Sequence, residues 1–111
     1  MDMAQLQAVV AEGESETLEF KKSTGQRTEA MHDLCAMINH RGGRVLFGVD
    51  PQGKIVGQQV SERTIEEVSQ EIQLIEPPVF PTVERVDVGS GRQVVSVMAA
   101  AGANRPYSYK G

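Results

Sequence analysis

The sequence predicts an α+β domain, in which about three helices pack on a mixed, largely antiparallel sheet of five to six strands. Three observations favour this class. Three stretches space their apolar residues as a helix does, shorter stretches alternate apolar and polar residues, and glycine-containing turns of the hairpin type join two pairs of those shorter stretches. We expect an N-terminal helix in residues 1–12 and the main domain in residues 13–111.

The first two elements are a short helix and a strand. Apolar side chains on one stripe predict a helix over Met3–Ala11, and Gly13 follows its end. Residues 18–22 then alternate apolar and charged side chains, which is the period of a half-buried strand. We expect Leu18 and Phe20 to face the core.

A second helix and a hairpin are expected next. The helix is predicted over residues 28–39, and its apolar stripe is formed by Met31, Leu34, Cys35 and Ile38. The glycines at positions 42 and 43 end it. Residues 44–49 and 54–57 are predicted strands, because residues 50–53 (Asp-Pro-Gln-Gly) favour a tight turn between them.

A third helix is predicted over residues 62–76, with either Ser61 or Thr64 as its cap, and Pro77 prevents it from continuing. Its buried stripe is predicted to consist of Ile65, Val68, Ile72 and Ile75. Its other face is predicted to be acidic and solvated, with Glu62, Glu66, Glu67, Glu71 and Glu76. Strands over residues 83–88 and 93–99 form a second hairpin, and a short strand over residues 107–109 closes the pattern.

Composition limits the function classes. Eleven basic against 15 acidic residues give a net charge of −4, so charge alone would not clamp this domain on DNA. A single cysteine excludes an internal disulfide, and no apolar run is long enough for a membrane span. The N-terminus lacks the basic and apolar segments of a secretory signal. We therefore expect a cytoplasmic protein that does not associate with membranes.

The first candidate site is an acidic segment with one lysine. Glu14, Glu16, Glu19 and Lys21 lie within eight positions, and carboxylates beside a cation suit Mg²⁺ or Mn²⁺ in phosphodiester chemistry. Glu14 and Glu19 would converge only if Glu14 lies on the loop before the strand, since an odd separation puts strand residues on opposite faces. The simpler interpretation is a solvated edge strand with alternating charges.

The second candidate site is Asp50, which follows a strand and shares one strand face with Gly48. Local pattern alone favours Asp50 as the first residue of a β-turn. The glycines do not form a known phosphate-binding loop. The histidines and Cys35 lack the spacing of a zinc site, and Cys35 is expected in the core.

Basic residues concentrate near these two sites. Lys21, Lys22, Arg41 and Arg44 either form a phosphate-binding patch on an acidic domain or are scattered solvated charges.

Four segments in order, residues 14–21, 39–50, 53–57 and 106–111, together resemble the Schlafen AlbA_2 domain, a family of DNA-binding domains in bacterial and archaeal transcriptional regulators. The resemblance implies association with nucleic acid, DNA or RNA, in one module of a longer regulator. It also implies that a paired second lobe, as in animal Schlafens, would come from a homodimer.

Some Schlafens cleave RNA with two glutamates and an aspartate that hold a metal ion. The resemblance puts those positions on Glu14, Glu19 and Asp50, and the family's lysine on Lys21. The leading hypothesis is a nucleic-acid-binding module that uses Lys21, Lys22, Arg41 and Arg44. The alternatives are a Mg²⁺- or Mn²⁺-dependent endoribonuclease that uses Glu14, Glu19 and Asp50, and a nucleotide-sensing or assembly module.

Overall fold

The computed structural model describes residues 1–110. Its helices and strands follow the predicted order, except that the predicted strand over residues 54–57 is absent and a short strand follows the third helix. They are α1 (Met3–Ala11), β1 (Leu18–Lys21), α2 (Arg27–Ile38), β2 (Gly42–Phe47), α3 (Glu62–Ile72), β3 (Ile75–Glu76), β4 (Thr82–Gly89), β5 (Arg92–Ala100) and β6 (Ser108–Tyr109). Gly111, the last residue of the closing segment that resembles the family, lies outside the described residues.

The strands form two sheets. The main sheet has four strands in the order β1-β2-β5-β4, and β3 pairs with β6 in a separate ribbon. β1 and β2 are parallel, whereas the other pairs are antiparallel. The predicted α+β class is confirmed, but a single sheet of five to six strands is wrong for the described residues. The last short strand pairs outside the main sheet, with the residues that follow α3.

The two faces of the main sheet carry separate cores. Val45 and Phe47 of β2 pack with α2 and α3 on one face. Leu18, Phe20 and Leu46 pack with α1 on the other face. Since strand side chains alternate between faces, the charged residues of β1 are directed toward the α2 side. This alternation positions the site described below.

The third helix is shorter than predicted. It begins after Ser61, whose hydroxyl accepts a hydrogen bond from the Thr64 amide, so Ser61 is the cap. It ends at Ile72, and Ile75 is buried in the β3–β6 ribbon rather than on a helix. The residue before a proline disfavours helical backbone, and Glu76 precedes Pro77. The chain therefore becomes extended before the proline is reached.

The predicted strand over residues 54–57 is reduced to one isolated bridge between Val49 and Ile55. The segment instead folds back on β2 through Gly48, whose carbonyl accepts hydrogen bonds from the amides of Val56 and Gly57. A Cβ at Gly48 would lie 3.0 Å from the Gly57 Cα, so the close approach requires glycine.

Within residues 1–110 no helix combines the length and apolar character needed to cross a bilayer.

Candidate functional site

A group of charged side chains, here called the Lys21 cluster, joins β1 to α2. It consists of Glu14, Glu19, Lys21, Glu29 and Asp33. The Lys21 Nζ lies 2.9 Å from Asp33 Oδ2 and 3.8 Å from both Glu19 Oε1 and Glu29 Oε2. The lysine side chain is only 12% exposed. The Lys21 ammonium is therefore the shared counter-ion of three carboxylates at the boundary between strand and helix.

Glu14 enters this cluster from the loop before β1. Gly13 has a φ of +76°, which turns the chain, and Glu14 Oε1 then accepts a hydrogen bond from the Phe20 amide at 3.3 Å. Glu14 and Glu19 line the same groove, and the charge of Glu14 raises the pKa of Glu19. The two glutamates therefore line one groove despite their odd separation, because Glu14 lies on the loop before the strand.

The cluster alters the protonation of its members. Burial, together with the charges of Asp33 and Glu14, raises the pKa of Glu19, and the nearby ammonium of Lys21 only partly offsets this. Burial lowers the pKa of Lys21, but the hydrogen bond and charge of Asp33 outweigh it, so the lysine pKa is raised overall. The cluster has a surplus of negative charge that it does not compensate internally.

Asp50 lies in a different environment. Its Oδ1 accepts hydrogen bonds from the amides of Gln52 and Lys54, both at 2.9 Å, as the first residue of a turn does. In the described part of the chain, no three His, Cys, Asp or Glu side chains are arranged to hold a metal ion. The structure thus brings Glu14 and Glu19 together, but it does not join Asp50 to them in a metal-binding group.

The four basic residues singled out from the sequence occupy different surroundings. Lys21 is enclosed by carboxylates, and Lys22 is exposed beside it. Arg41 is 77% exposed and pairs with Glu16 at 2.9 Å. Arg44 is in register with Leu18, so it lies on the α1 face, where its guanidinium contacts the sulfurs of Met1 and Met98. The structure therefore distributes these residues over both faces of the sheet.

Two grooves meet at Glu19. One, of about 300 Å³, is lined among others by Glu19, Asp33, Met37, His40 and Arg41. The other, of about 530 Å³, is lined among others by Glu14, Glu19, Lys21 and Lys22. Glu19 is 26% exposed and thus accessible from both. An exposed basic residue, Arg41 or Lys22, borders each groove.

Three residues of this region were missed by sequence reasoning. Glu29 and Asp33 are four positions apart on α2, which places them on one helix face, but the pattern does not say which strand that face meets. Arg105 approaches the C-terminal end of α2, where its Nη1 donates to the His40 carbonyl at 3.4 Å. No local pattern indicates that contact.

A second charged group, here called the Glu71 cluster, lies where β6 meets α3. It consists of Glu71, Tyr109 and Lys110. The Tyr109 hydroxyl donates to Glu71 Oε2, and Lys110 Nζ lies 3.4 Å from the same oxygen. Glu71 is only 17% exposed, so its predicted place on a fully solvated face is wrong. The hydrogen bond from Tyr109, with those of Lys110, lowers the pKa of Glu71 despite burial.

Comparison with known proteins identifies relatives of this fold. The sequence profile described as Schlafen, AlbA_2 matches residues 14–111. No curated protein matches the chain. A solved structure that is similar is the N-terminal domain of a protein from Nitrosomonas europaea described as related to the ATP-dependent DNA helicase RecG. The TM-score is 0.76 at 18% identity, over 100% of this chain and 82% of that one, which shows a shared fold.

Proposed function

The chain belongs to the Schlafen AlbA_2 family, and on this premise we propose that it is a nucleic-acid-binding module of a transcriptional regulator. Its exposed basic side chains Lys22 and Arg41 contact phosphates on the two sides of Glu19. The family and the helicase-related origin of the similar domain fit a role associated with nucleic acid. The place in a transcriptional regulator rests on the family alone.

One observation carries this proposal: the two grooves that share Glu19 are each bordered by an exposed cation. A nucleic-acid backbone that crosses Glu19 would bring one phosphate to Arg41 and another to Lys22. The ion pair of Arg41 with Glu16 is highly exposed on both sides, so it contributes little and exchanges readily for a phosphate. Lys21 would reduce the repulsion between the backbone and the carboxylates beneath it.

Titration of binding against salt tests the proposal. We expect labelled DNA or RNA oligonucleotides to bind with log K falling linearly as log salt rises. Arg41→Gln and Lys22→Gln should each weaken binding and reduce the slope by about one, as the loss of a single phosphate contact does. Arg63→Gln, an exposed arginine on α3, is the matched control and should change neither. Absence of binding to DNA and RNA at low salt would contradict the proposal.

A metal-dependent endoribonuclease is the second candidate, and it is favoured by the presence of Glu14 and Glu19 in the lining of one groove. Carboxylates that line a common groove are the kind of oxygen ligand that divalent cations such as Mg²⁺ and Mn²⁺ use. The third predicted ligand does not fit as it stands, because Asp50 Oδ1 is engaged by two amides of its own turn. We therefore assign no catalytic step to a metal ion.

Paired substitutions of Asp50 test this second candidate. Asp50→Asn keeps an oxygen that accepts the turn hydrogen bonds, whereas Asp50→Ala loses it. If the domain is a nuclease, wild-type protein should cleave structured RNA with Mn²⁺, and both variants should lose cleavage while they still bind RNA. If Asp50 serves only the turn, Asp50→Asn should behave as wild type. Wild-type protein that leaves RNA intact in Mn²⁺ would refute the nuclease.

A further inference from the structure

We propose that the groove of about 300 Å³ beside Glu19 binds the base of an unpaired guanine nucleotide. This inference deepens the proposed nucleic-acid binding and rests on it. It assigns the carboxylates of Glu19 and Asp33 to base recognition and Arg41 to the adjoining phosphate. The bound strand would accordingly be single-stranded at this position.

The size and floor of the groove suit one base. Its volume of about 300 Å³ is at the lower end of the range for small-molecule pockets, roughly 300–1,000 Å³. Ala36 and Met37 of α2 supply apolar surface there. A Cβ at Gly43 would lie 2.5 Å from the Met37 Sδ, so the glycine lets Met37 lie directly against β2. A flat, weakly polar ring packs favourably on such a surface, and its edge stays available for hydrogen bonds.

The groove is lined by carboxylates and by the basic side chain of Arg41. Lys21 contacts Asp33 Oδ2, and the Asp33 side chain is still 37% exposed toward solvent. Glu19 lies next to Asp33 and is accessible from the same groove. His40 and Arg41 line the groove from the segment that follows α2, and Arg41 is paired there with Glu16 at 2.9 Å. A hydrogen-bond donor is therefore favoured beside Glu19 and Asp33, and a phosphate is favoured beside Arg41 in exchange for its exposed ion pair with Glu16.

Guanine is the base that matches these acceptors. Its Watson–Crick edge presents two adjacent donors, N1–H and the N2 amino group, which suit carboxylate oxygens. Adenine and cytosine place a ring acceptor beside their amino group, and that lone pair would face a negative charge. Uracil and thymine offer a single N–H between two carbonyls. A base paired in a duplex has its donors already occupied, so a duplex cannot use this groove.

Four fluorescent probes test the inference at one salt concentration: a twelve-nucleotide thymidine strand, the same strand with one central guanosine, the same strand with one central inosine, and the guanosine strand annealed to its complement. Inosine lacks only the N2 amino group. We expect the guanosine strand to bind about tenfold tighter than the thymidine strand, as one good two-donor pair provides. The inosine strand should lose most of that gain, and the duplex should lose all of it.

Blocking the groove provides the second arm. Ala36 is exposed on α2, so Ala36→Phe should fill the groove without disturbing the core, and Ala36→Leu is a smaller block should the phenylalanine variant fail to fold. Either should remove the preference for guanosine. Ala8→Phe, at an exposed alanine of α1 on the other face of the sheet, should keep it.

The outcomes separate this inference from the function beneath it. Equal, salt-dependent binding of all three single strands would overturn the guanine site and leave the phosphate-binding proposal standing. A guanosine preference that survives a folded Ala36 variant would place recognition elsewhere and also overturn the inference. Absence of binding to every probe at low salt would contradict the proposed function itself.

Discussion

The Lys21 cluster and the Glu71 cluster each join a strand to a helix through charged side chains, but their charge balance is opposite. Each tethers one element to α2 or α3 through a largely buried charged side chain. In the Lys21 cluster one ammonium faces carboxylates from Glu19, Glu29 and Asp33. In the Glu71 cluster one carboxylate is held by the Tyr109 hydroxyl and the Lys110 ammonium. The first therefore has surplus acid, and the second has surplus donors.

This difference is recorded in the direction of the pKa shifts. The pKa of Glu71 is lowered because Tyr109 and Lys110 stabilise its charged form. The pKa of Glu19 is raised because burial, Asp33 and Glu14 disfavour its charge. A carboxylate whose hydrogen bonds are satisfied within the protein stabilises the fold. A carboxylate that lacks such partners beside a groove is stabilised by a ligand that donates hydrogen bonds to it. The comparison thus favours the Lys21 cluster over the Glu71 cluster as the site of the proposed binding.

The largest expected effect comes from removing the lysine at the centre of the first cluster. Lys21→Met should lower the free energy of unfolding at pH 7 by about 2 kcal/mol, because Asp33 and Glu19 would then face one another without a counter-charge. We take less than the full cost of a broken buried pair, since Asp33 is 37% and Glu29 67% exposed. Urea unfolding measures the change, and it should shrink at acidic pH as the carboxylates protonate.

The exposed neighbour provides the control for that experiment. Lys22→Met removes the same charge one position later, where no carboxylate encloses it, and should change stability by no more than about 0.5 kcal/mol. A Lys21→Met variant as stable as wild type at pH 7 would show that the surplus acid of the cluster is harmless.

The second prediction concerns the Glu71 cluster. Glu71→Gln should destabilise the protein at pH 7 by about 1 kcal/mol, because the hydrogen bond from Tyr109 loses its charged acceptor. The pKa of Glu71 is lowered on folding, so its contribution is present above the unfolded pKa of about 4.3 and is lost as the pH falls through the folded value. Urea unfolding of variant and wild type should therefore converge in acid.

Glu66→Gln is the matched control for Glu71, since Glu66 is exposed on the same helix. It should leave stability unchanged at every pH. A deficit in Glu71→Gln that persists unchanged at a pH low enough to protonate Glu71 in the folded protein would contradict the assigned cause, since protonated glutamate and glutamine would then be equivalent.

Local periodicity was sufficient for much of the fold. The two-residue alternation over β1 predicted both the strand and the opposite faces of Leu18 and Glu19, and the helical spacing predicted α2 to within one residue at each end. It failed for the last predicted turn of α3, where Ile75 suits a buried helix stripe and a buried strand equally well. Which answer holds depends on the pairing of Ile75 with Tyr109, a contact across 34 positions that no local pattern records.

The site was predictable only where it is local. The position of Glu14 on the loop beside β1 was indicated by Gly13, whereas that of Asp33 depends on how α2 crosses β1. Arg44 shows the opposite case. Arg44 lies two positions before Leu46 in β2, so the two side chains share the face that packs on α1. Counting along the strand would therefore have separated Arg44 from Lys21. Closeness in sequence was therefore a weaker guide than strand alternation to which basic residues lie together, because successive residues of one strand point to opposite faces of the sheet.

The smallest expected effect has the opposite sign and completes the comparison. The pKa of Glu19 is raised on folding, so its charge opposes folding once the pH rises above the unfolded pKa. Glu19→Gln should therefore stabilise the protein at pH 7 by less than about 1 kcal/mol, while Glu71→Gln destabilises it. The gain should disappear as the pH falls and wild-type Glu19 protonates, which paired urea titrations at pH 7 and pH 4 would measure. Glu16→Gln, 84% exposed, is the control and should be neutral. A Glu19→Gln variant less stable than wild type at pH 7 would mean that Lys21 compensates Glu19 fully, and the two clusters would then be alike.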